Sequence, residues 1–447
     1  MYIDLYPIRD ERTILKNKGK GWYWHYIDCG YSRPRYRDMP ELIGNPDDFP
    51  GLHHLYLRFN WRDINPKKGV YDFSYLDSIM DEYGARGYAF SLRMCSYQTE
   101  IHRWGNCQHA SPDYVRECGA NGFFKEITDA ADPDRKFDHM AWEPDYGDPI
   151  FLSYVEEAMH MLGQKYGNDK RVAYVDVGTF GKYGEGHTQS MKHSKETLIR
   201  HIDITRAAFP NTLVLVNDDM IRHDESLTAE LTEYCIQRGI GIRDDSIVVA
   251  GPARSVPTYD TLRDPRMFDP FSDKFPVDIE FAHAELCPPD VWRQGLPALE
   301  SLRRTKATFA GFHDYPRRFY EANYDLCEYA ANRLGYWFRP DSIDIRADGG
   351  SFTVTNLGWA RSYRDMEMRL TLECENGSLY ELGRIGGSIG WIEGSTNTES
   401  FTFDKPIPSG NYSVKLGLFD TDGTSIKMAL DQKLYDGNYY TVGNITL

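Results

Sequence analysis

Two acidic side chains sit where their type and surroundings suit chemistry. Glu185 lies in GTFGKYGEGHT, just past an apolar run, among Gly178, Gly181, Gly184 and Gly186. Glycines at that density permit a tightly folded loop with backbone groups close to a ligand. Glu280 lies in VDIEFAHA, where Val277, Ile279 and Phe281 alternate with Asp278 and Glu280. Two carboxylates on opposite walls of one mouth are what cleavage of a glycosidic bond requires. One, protonated, gives its proton to the leaving oxygen; the other attacks the anomeric carbon or activates water. Carboxyls ~5–5.5 Å apart imply retention of configuration, and ~6.5–9.5 Å inversion. Plainer roles exist for both. Glu185 would satisfy turn amides, and Glu280 would be the buried partner of Arg58, an arrangement that also keeps a nucleophile ionised. Glu285, in HAELCPPD near an expected helix start, is the second choice of nucleophile. Asp176 and Asp278 lie too deep along their strands for direct attack.

Around this pair stand residues suited to hold a sugar. Trp22, Trp24 and Tyr26 share one face of the first apolar run, and His313 and Tyr315 end the last. Together they offer rings for an aromatic floor and polar groups at its edge, although each ring also has an ordinary place in a core. Arg58, Asn60, His187, Asn217, Asp218 and Arg243 are further substrate-binding candidates, with helix and turn capping as the plainer reading for those after the fifth and near the sixth run. A metal held by His187, Asp218 and His313 is an alternative that no HExxH or EF-hand spacing supports. GxGxxG and Walker spacings are absent from the sequence, so no cofactor is expected.

The elements that must position these residues alternate between β-rich and helical patterns from about 20 to 335. Eight β-rich runs occur, at 21–28, 54–61, 88–96, 172–180, 212–218, 245–250, 277–284 and 307–315, with amphipathic segments between most of them. This predicts an α/β chain with a (β/α)8 TIM barrel over residues 1–338. A long insertion at about 97–147, carrying Trp104 and Trp142, is expected to be an active-site loop or lid. Alternation within the runs turns Tyr56, Arg58 and Asn60 to the lumen, with Ser91, Arg93 and Cys95, Tyr174 and Asp176, and Asp278 and Glu280. Beyond YWFRPDSIDIRADGG the helical period vanishes, and alternating strands predict an antiparallel β-sandwich over 339–447.

Composition narrows the partners. A formal charge of −16 over 447 residues opposes a nucleic acid backbone, and the sequence has no run of the ~18 apolar residues a membrane span needs. Aromatic residues make 14% of the chain, which suits both a ring-rich core and stacking on sugars. The eight cysteines form no CxxC pair, and spacing cannot decide whether Cys107 and Cys118 pair. The opening MYIDLYPIRDER lacks the roughly 7–15-residue apolar stretch of a signal peptide, leaving the cytoplasm, or export after removal of a leader, as the compartments.

The segment 55–87 resembles the second barrel unit of clan-A glycoside hydrolases through Trp61, Pro66, Gly69, Tyr71, Asp72, Phe73, Leu76 and Asp77. In that clan the acid/base follows strand four and the nucleophile ends strand seven, which implies Glu185 and Glu280, while Arg58 matches the arginine ending strand two. VDVGTFGKYGEGHT, GIRDDS, TVTNLGWARSYRDMEMRLTL and IPSGNYSVKLGLFD are similar to bacterial proteins that join a β-galactosidase-like barrel to a C-terminal sandwich. The resemblance implies a retaining glycoside hydrolase acting on β-galactoside-like linkages of an oligo- or polysaccharide. Gly184 stands where most of the clan carries an Asn that contacts the sugar 2-hydroxyl, and Asn217 or His187 are the candidates to replace that contact. A barrel that binds carbohydrate without turnover is the alternative, and a metal-dependent hydrolase the third.

Overall fold

The computed structural model describes residues 1–27, 45–98, 109–128, 136–188, 191–247, 267–281, 296–312 and 316–447. Eight strands close into a barrel in chain order. They are β1 Gly21–Ile27, β2 His54–Asn60, β3 Ala89–Cys95, β4 Val172–Asp176, β5 Leu213–Asn217, β6 Ile240–Ile247, β7 Val277–Phe281 and β8 Ala307–Phe312. The order is the one predicted, with one shift. The sixth strand begins at Ile240, not at residue 245, so Arg243 and Asp244 lie within it. Its polar IGIRDDSI reads poorly as a strand because Arg243 sits in mid-strand, where it meets the lumen carboxylates Asp176 and Glu280 instead of an apolar core.

Helices cover most of the strands' outer faces, and their sequences explain their limits. Asp148 caps α1 (Pro149–Tyr166), accepting from the amides of Ile150 and Phe151, with Pro149 in the first turn. Ser194 caps α2 (Lys195–Ala208). The two helices approach closely at Gly163, where an added Cβ would strike the Ala208 carbonyl. The long insertion is not a bare loop. It holds a short helix, Asp113–Glu117, and an antiparallel hairpin of Gly122–Thr128 with Lys136–Pro144. Trp142 is buried there, away from any role as an open sugar platform, and Trp104 lies outside the described residues.

The barrel's lower interior is aromatic where branched aliphatic residues would be usual. Tyr23, His25, His54, Tyr56 and Tyr174 pack ring against ring, with centroids between 4.5 and 6.1 Å apart. Gly311 on β8 leaves the space that the Tyr23 ring fills, since a Cβ there would collide with it. Much of the aromatic excess is therefore core.

The chain divides into two compact units: residues 23–301 with 310–323, and residues 1–22, 302–309 and 324–447. The second unit contains two antiparallel sheets. In one, Tyr2–Asp4, Phe338–Arg346, Gly349–Asn356 and Thr396–Thr402 lie side by side in that order. The other joins Leu379–Gly387, Glu367–Cys374 and Asn411–Phe419, with Ser425–Ile426 and Tyr440–Thr446 along the last. Alternate residues of both sheets (Ile343, Ile345, Phe352, Leu370, Leu372, Val414, Leu416) and Trp391 form one buried core, as a sandwich requires. The N-terminal strand thus pairs with Phe338–Arg346 in this sheet, outside the barrel's own strands.

Candidate active site

Register brings the polar lumen residues together. β2 and β3 pair in step, which sets Arg58 beside Arg93. On the far side Arg243 of β6 is level with Asp278 of β7, and a bulge follows between Ile279 and Phe281, at Glu280. Bulges of this kind re-aim side chains next to active sites.

Glu185 sits at the end of the glycine loop that leaves β4. Arg58 Nη1 and Arg93 Nη2 both donate to its Oε1, the latter at 2.7 Å. Burial pushes the Glu185 carboxyl up, but Arg58, Arg93 and then His187 overcome it and hold the group well below the ordinary 4.5. The loop fits so closely that its glycines are structural. A Cβ on Gly178 would lie 2.5 Å from the Arg93 Cγ, and Gly184, at φ +71°, would place one 2.5 Å from the Gly178 carbonyl oxygen. An Asn side chain cannot stand at Gly184 without a shift of this backbone. The departure from the clan's pattern is a different loop construction, not a simple truncation of one side chain.

Glu280 is fully buried, accepts from Arg243 Nη1 and lies 3.3 Å from His25 Nε2. Between the two glutamates stands Asp176. Its Oδ2 accepts from the Tyr56 hydroxyl, lies 3.2 Å from Arg243 Nε and 3.9 Å from Arg93 Nη1. Charges therefore alternate across the lumen: Glu185, Arg93, Asp176, Arg243, Glu280. Beneath them Asp278 accepts from Tyr174 at 2.7 Å, and burial pushes its carboxyl up to about 7 despite Arg243 nearby. Burial also raises Asp176 against the pull of Arg243 and Arg93.

The other predicted residues divide. Arg58 reaches the lumen but partners Glu185, so the pairing with Glu280 is corrected to Arg243 and His25. Asn60 ends β2 and starts a short helix, its amide donating to Asp63 at 3.1 Å. Asn217 ends β5, and its Oδ1 accepts from the Asp219 amide at 2.8 Å, while its buried Nδ2 has no hydrogen-bond partner among the described residues. Asp218 is buried in the same turn, and His187 is half-buried 3.7 Å from Asp219.

Trp22 and Trp24 are corrected. They face the helix layer, Trp22 donating to the Cys327 carbonyl and Trp24 stacking edge-on with Tyr26. The alternate face of β1, with Tyr23 and His25, is the one that enters the lumen. Glu285, His313 and Tyr315 lie outside the described residues, as does Cys107, while Cys118 is a free, exposed thiol. No group of three or more metal-ligating side chains occurs among the described residues, and no described helix is long and apolar enough to cross a membrane.

Alternation predicts that Arg93 faces inward, but Arg93 and His25 both lie outside the predicted set of site residues. The signal for His25 was present: in β2, β3 and β7 the polar set faces the lumen, and the same rule selects His25 over its tryptophan neighbours.

The barrel thus carries acidic residues after β4 and on β7. Residues 55–192 match the profile of the family described as Beta-galactosidase, which marks this segment as part of a glycoside hydrolase domain. No curated protein matches the sequence. Among solved structures, the catalytic domain of β-amylase from Paenibacillus polymyxa is similar at 8% identity and a TM-score of 0.48, over 72% of this chain and 100% of that one. Xylanase10C from Cellvibrio japonicus is similar at 9% identity and 0.41, over 70% and 66%. The β-galactosidase from Rahnella sp. R3 is similar at 10% and 0.41, over 71% of this chain and 58% of that one.

Proposed function

We propose that the protein hydrolyses glycosidic bonds of an oligo- or polysaccharide, with β-galactoside-like linkages favoured and configuration retained, and that residues up to 338 carry the catalysis while 339–447 form an accessory domain. The observation that carries the reading is the alternating ion-pair chain that ends in Glu185 on one side of the lumen and Glu280 on the other. Glu280 is the nucleophile: Arg243 favours its ionised form, and a rigid strand aims it. Glu185 is the acid/base. To serve as the acid it must carry a proton, so the sugar has to draw Arg58 away, with a hydroxyl or ring oxygen taking that guanidinium's donors. The unpartnered Asn217 Nδ2 supplies a donor to the sugar in place of the Asn that Gly184 excludes. His25 beside Glu280 is a positioning residue.

The arginine clamp on Glu185 and the complete burial of Glu280 favour a second reading, carbohydrate binding without turnover. One experiment separates the two. Natural polysaccharide digests are incubated with the protein and with Glu280→Gln, and the products are read by mass spectrometry. Hydrolysis is expected with the wild-type protein and its loss in the variant. Hydrolysis that persists at the full rate in Glu280→Gln overturns the assignment, and sugar binding without product across the panel establishes the second reading.

A further inference from the structure

A cavity of about 450 Å³ opens where the chain continues past the glycine loop of Glu185, and is lined by His187, Thr188, Met191, Lys192, Asp219, Arg222 and His223. Its walls come from the loop that follows β4 and from the turn that follows β5, so it lies at the same end of the strands as Glu185. The two walls lock together where Gly186 presses on the Met220 backbone with no room for a side chain.

The charges in this cavity are unbalanced. Lys192 and Arg222 form no ion pair with any described residue. Asp219, the carboxylate among the described lining residues, faces His187 at 3.7 Å, and Asp224, which feels the Lys192 charge, accepts from Ser226. The Nε2 of His223 accepts from the His193 amide at 3.0 Å, so the ring is neutral in this arrangement and adds no cation. Lys192 and Arg222 thus give the cavity two cations against one carboxylate, Asp219, among its described lining residues, a local exception in a protein of net charge −16. An arginine presents a planar fork that matches carboxylate and sulfate oxygens, and a lysine adds a point charge.

We infer that this cavity is a subsite for an anionic sugar, in which Arg222 and Lys192 hold a carboxylate or sulfate substituent one residue unit from the bond that Glu185 acts on. The inference rests on the proposed glycosidase reading and names its substrate class. A uronic acid and a sulfated sugar present the same chemistry to this pair, and the probes distinguish them.

The test measures binding by calorimetry with three trisaccharides: a neutral galacto-oligosaccharide, the same chain with one 6-sulfate, and one ending in a glucuronate. Glu280→Gln protein is used so that turnover does not consume the probes. At least one acidic probe is expected to bind about tenfold or more tightly than the neutral one, with the advantage shrinking as salt rises. Preference for the sulfate alone or the uronate alone assigns the source of the anion. In Lys192→Ala/Arg222→Ala the ratio of acidic to neutral affinity is expected to fall towards one. Equal affinities for all three probes, no binding of either acidic probe, or an unchanged ratio in the double variant overturns the inference. Hydrolysis of neutral oligosaccharides together with equal affinities leaves the glycosidase reading standing without the subsite. Acidic probes that bind selectively but are never cleaved by the wild-type protein keep the subsite and remove the enzyme.

Discussion

The two ends of the lumen's ion-pair chain are built in opposite ways. Glu280 belongs to a strand, is enclosed by the barrel, and among the described residues meets Arg243 and His25. Glu185 belongs to a glycine loop, retains slight exposure, and is shared by two arginines from adjacent strands. A strand position holds a group still through its ladder, whereas a loop position holds it only through its contacts. The difference suits two tasks: a nucleophile that must stay aimed and ionised, and an acid/base that must change both partners and charge during a cycle. It also means that the Glu185 end is where conditions and mutations should act most selectively.

The largest expected effect sharpens this contrast through leaving groups. Glu185→Gln should cost ~10²–10⁴-fold in kcat on natural oligosaccharides, the range for loss of general acid help, and far less on aryl glycosides whose leaving group needs no proton. Glu280→Gln should abolish turnover on both. The measurement is kcat/KM for the two substrate types in the two variants. An equal loss on both types in Glu185→Gln would mean that Glu185 does not protonate the leaving oxygen.

A smaller effect concerns the loop itself. Gly184→Asn restores the clan's residue type but places a Cβ against the Gly178 carbonyl at 2.5 Å. The backbone must shift, at a cost on the order of 1–3 kcal/mol, and Glu185 moves with it. A lowered melting temperature together with reduced activity is expected. Gained activity at unchanged stability would show that the loop tolerates the clan's construction.

How far the sequence carries this contrast depends on what each part rests on. The eight strands and the sandwich are readable because alternation and helical period are local patterns. Lumen parity in β2, β3, β4 and β7 is readable for the same reason, and it places Arg58, Arg93, Asp176 and Glu280 correctly with respect to the barrel wall. The first strand misleads because its outer face carries tryptophans, which resemble a sugar platform in type though they pack against helices. The pairing of Arg58 with Glu185 instead of Glu280 is out of reach, since it depends on the fold of the glycine loop and on which of several carboxylates a long side chain meets. The sixth strand is masked by its own charges, of which Arg243 is accounted for by the lumen carboxylates it meets.

The smallest effect is a shift in pH, and it probes the arginine clamp directly. Arg58 is, after burial, the leading influence on the Glu185 carboxyl, and it lowers it. In Arg58→Met that carboxyl should titrate at higher pH, while Arg93 still leaves it a partner. On substrates that require the acid, the alkaline limb of kcat/KM should therefore move to higher pH, whatever happens to its height. Stability gives an independent reading with a defined sign. A carboxyl whose folded value lies below its unfolded 4.5 contributes stability that is present above 4.5 and is lost as pH falls through the folded value. Thermal melts of wild type and Arg58→Met should accordingly differ most near neutrality and converge as pH drops below 4.5. A gap that stays constant down the acid range would mean that Arg58 acts through packing alone, for instance against the Tyr183 ring 5.5 Å away, and that the two ends of the lumen differ less in electrostatics than in rigidity.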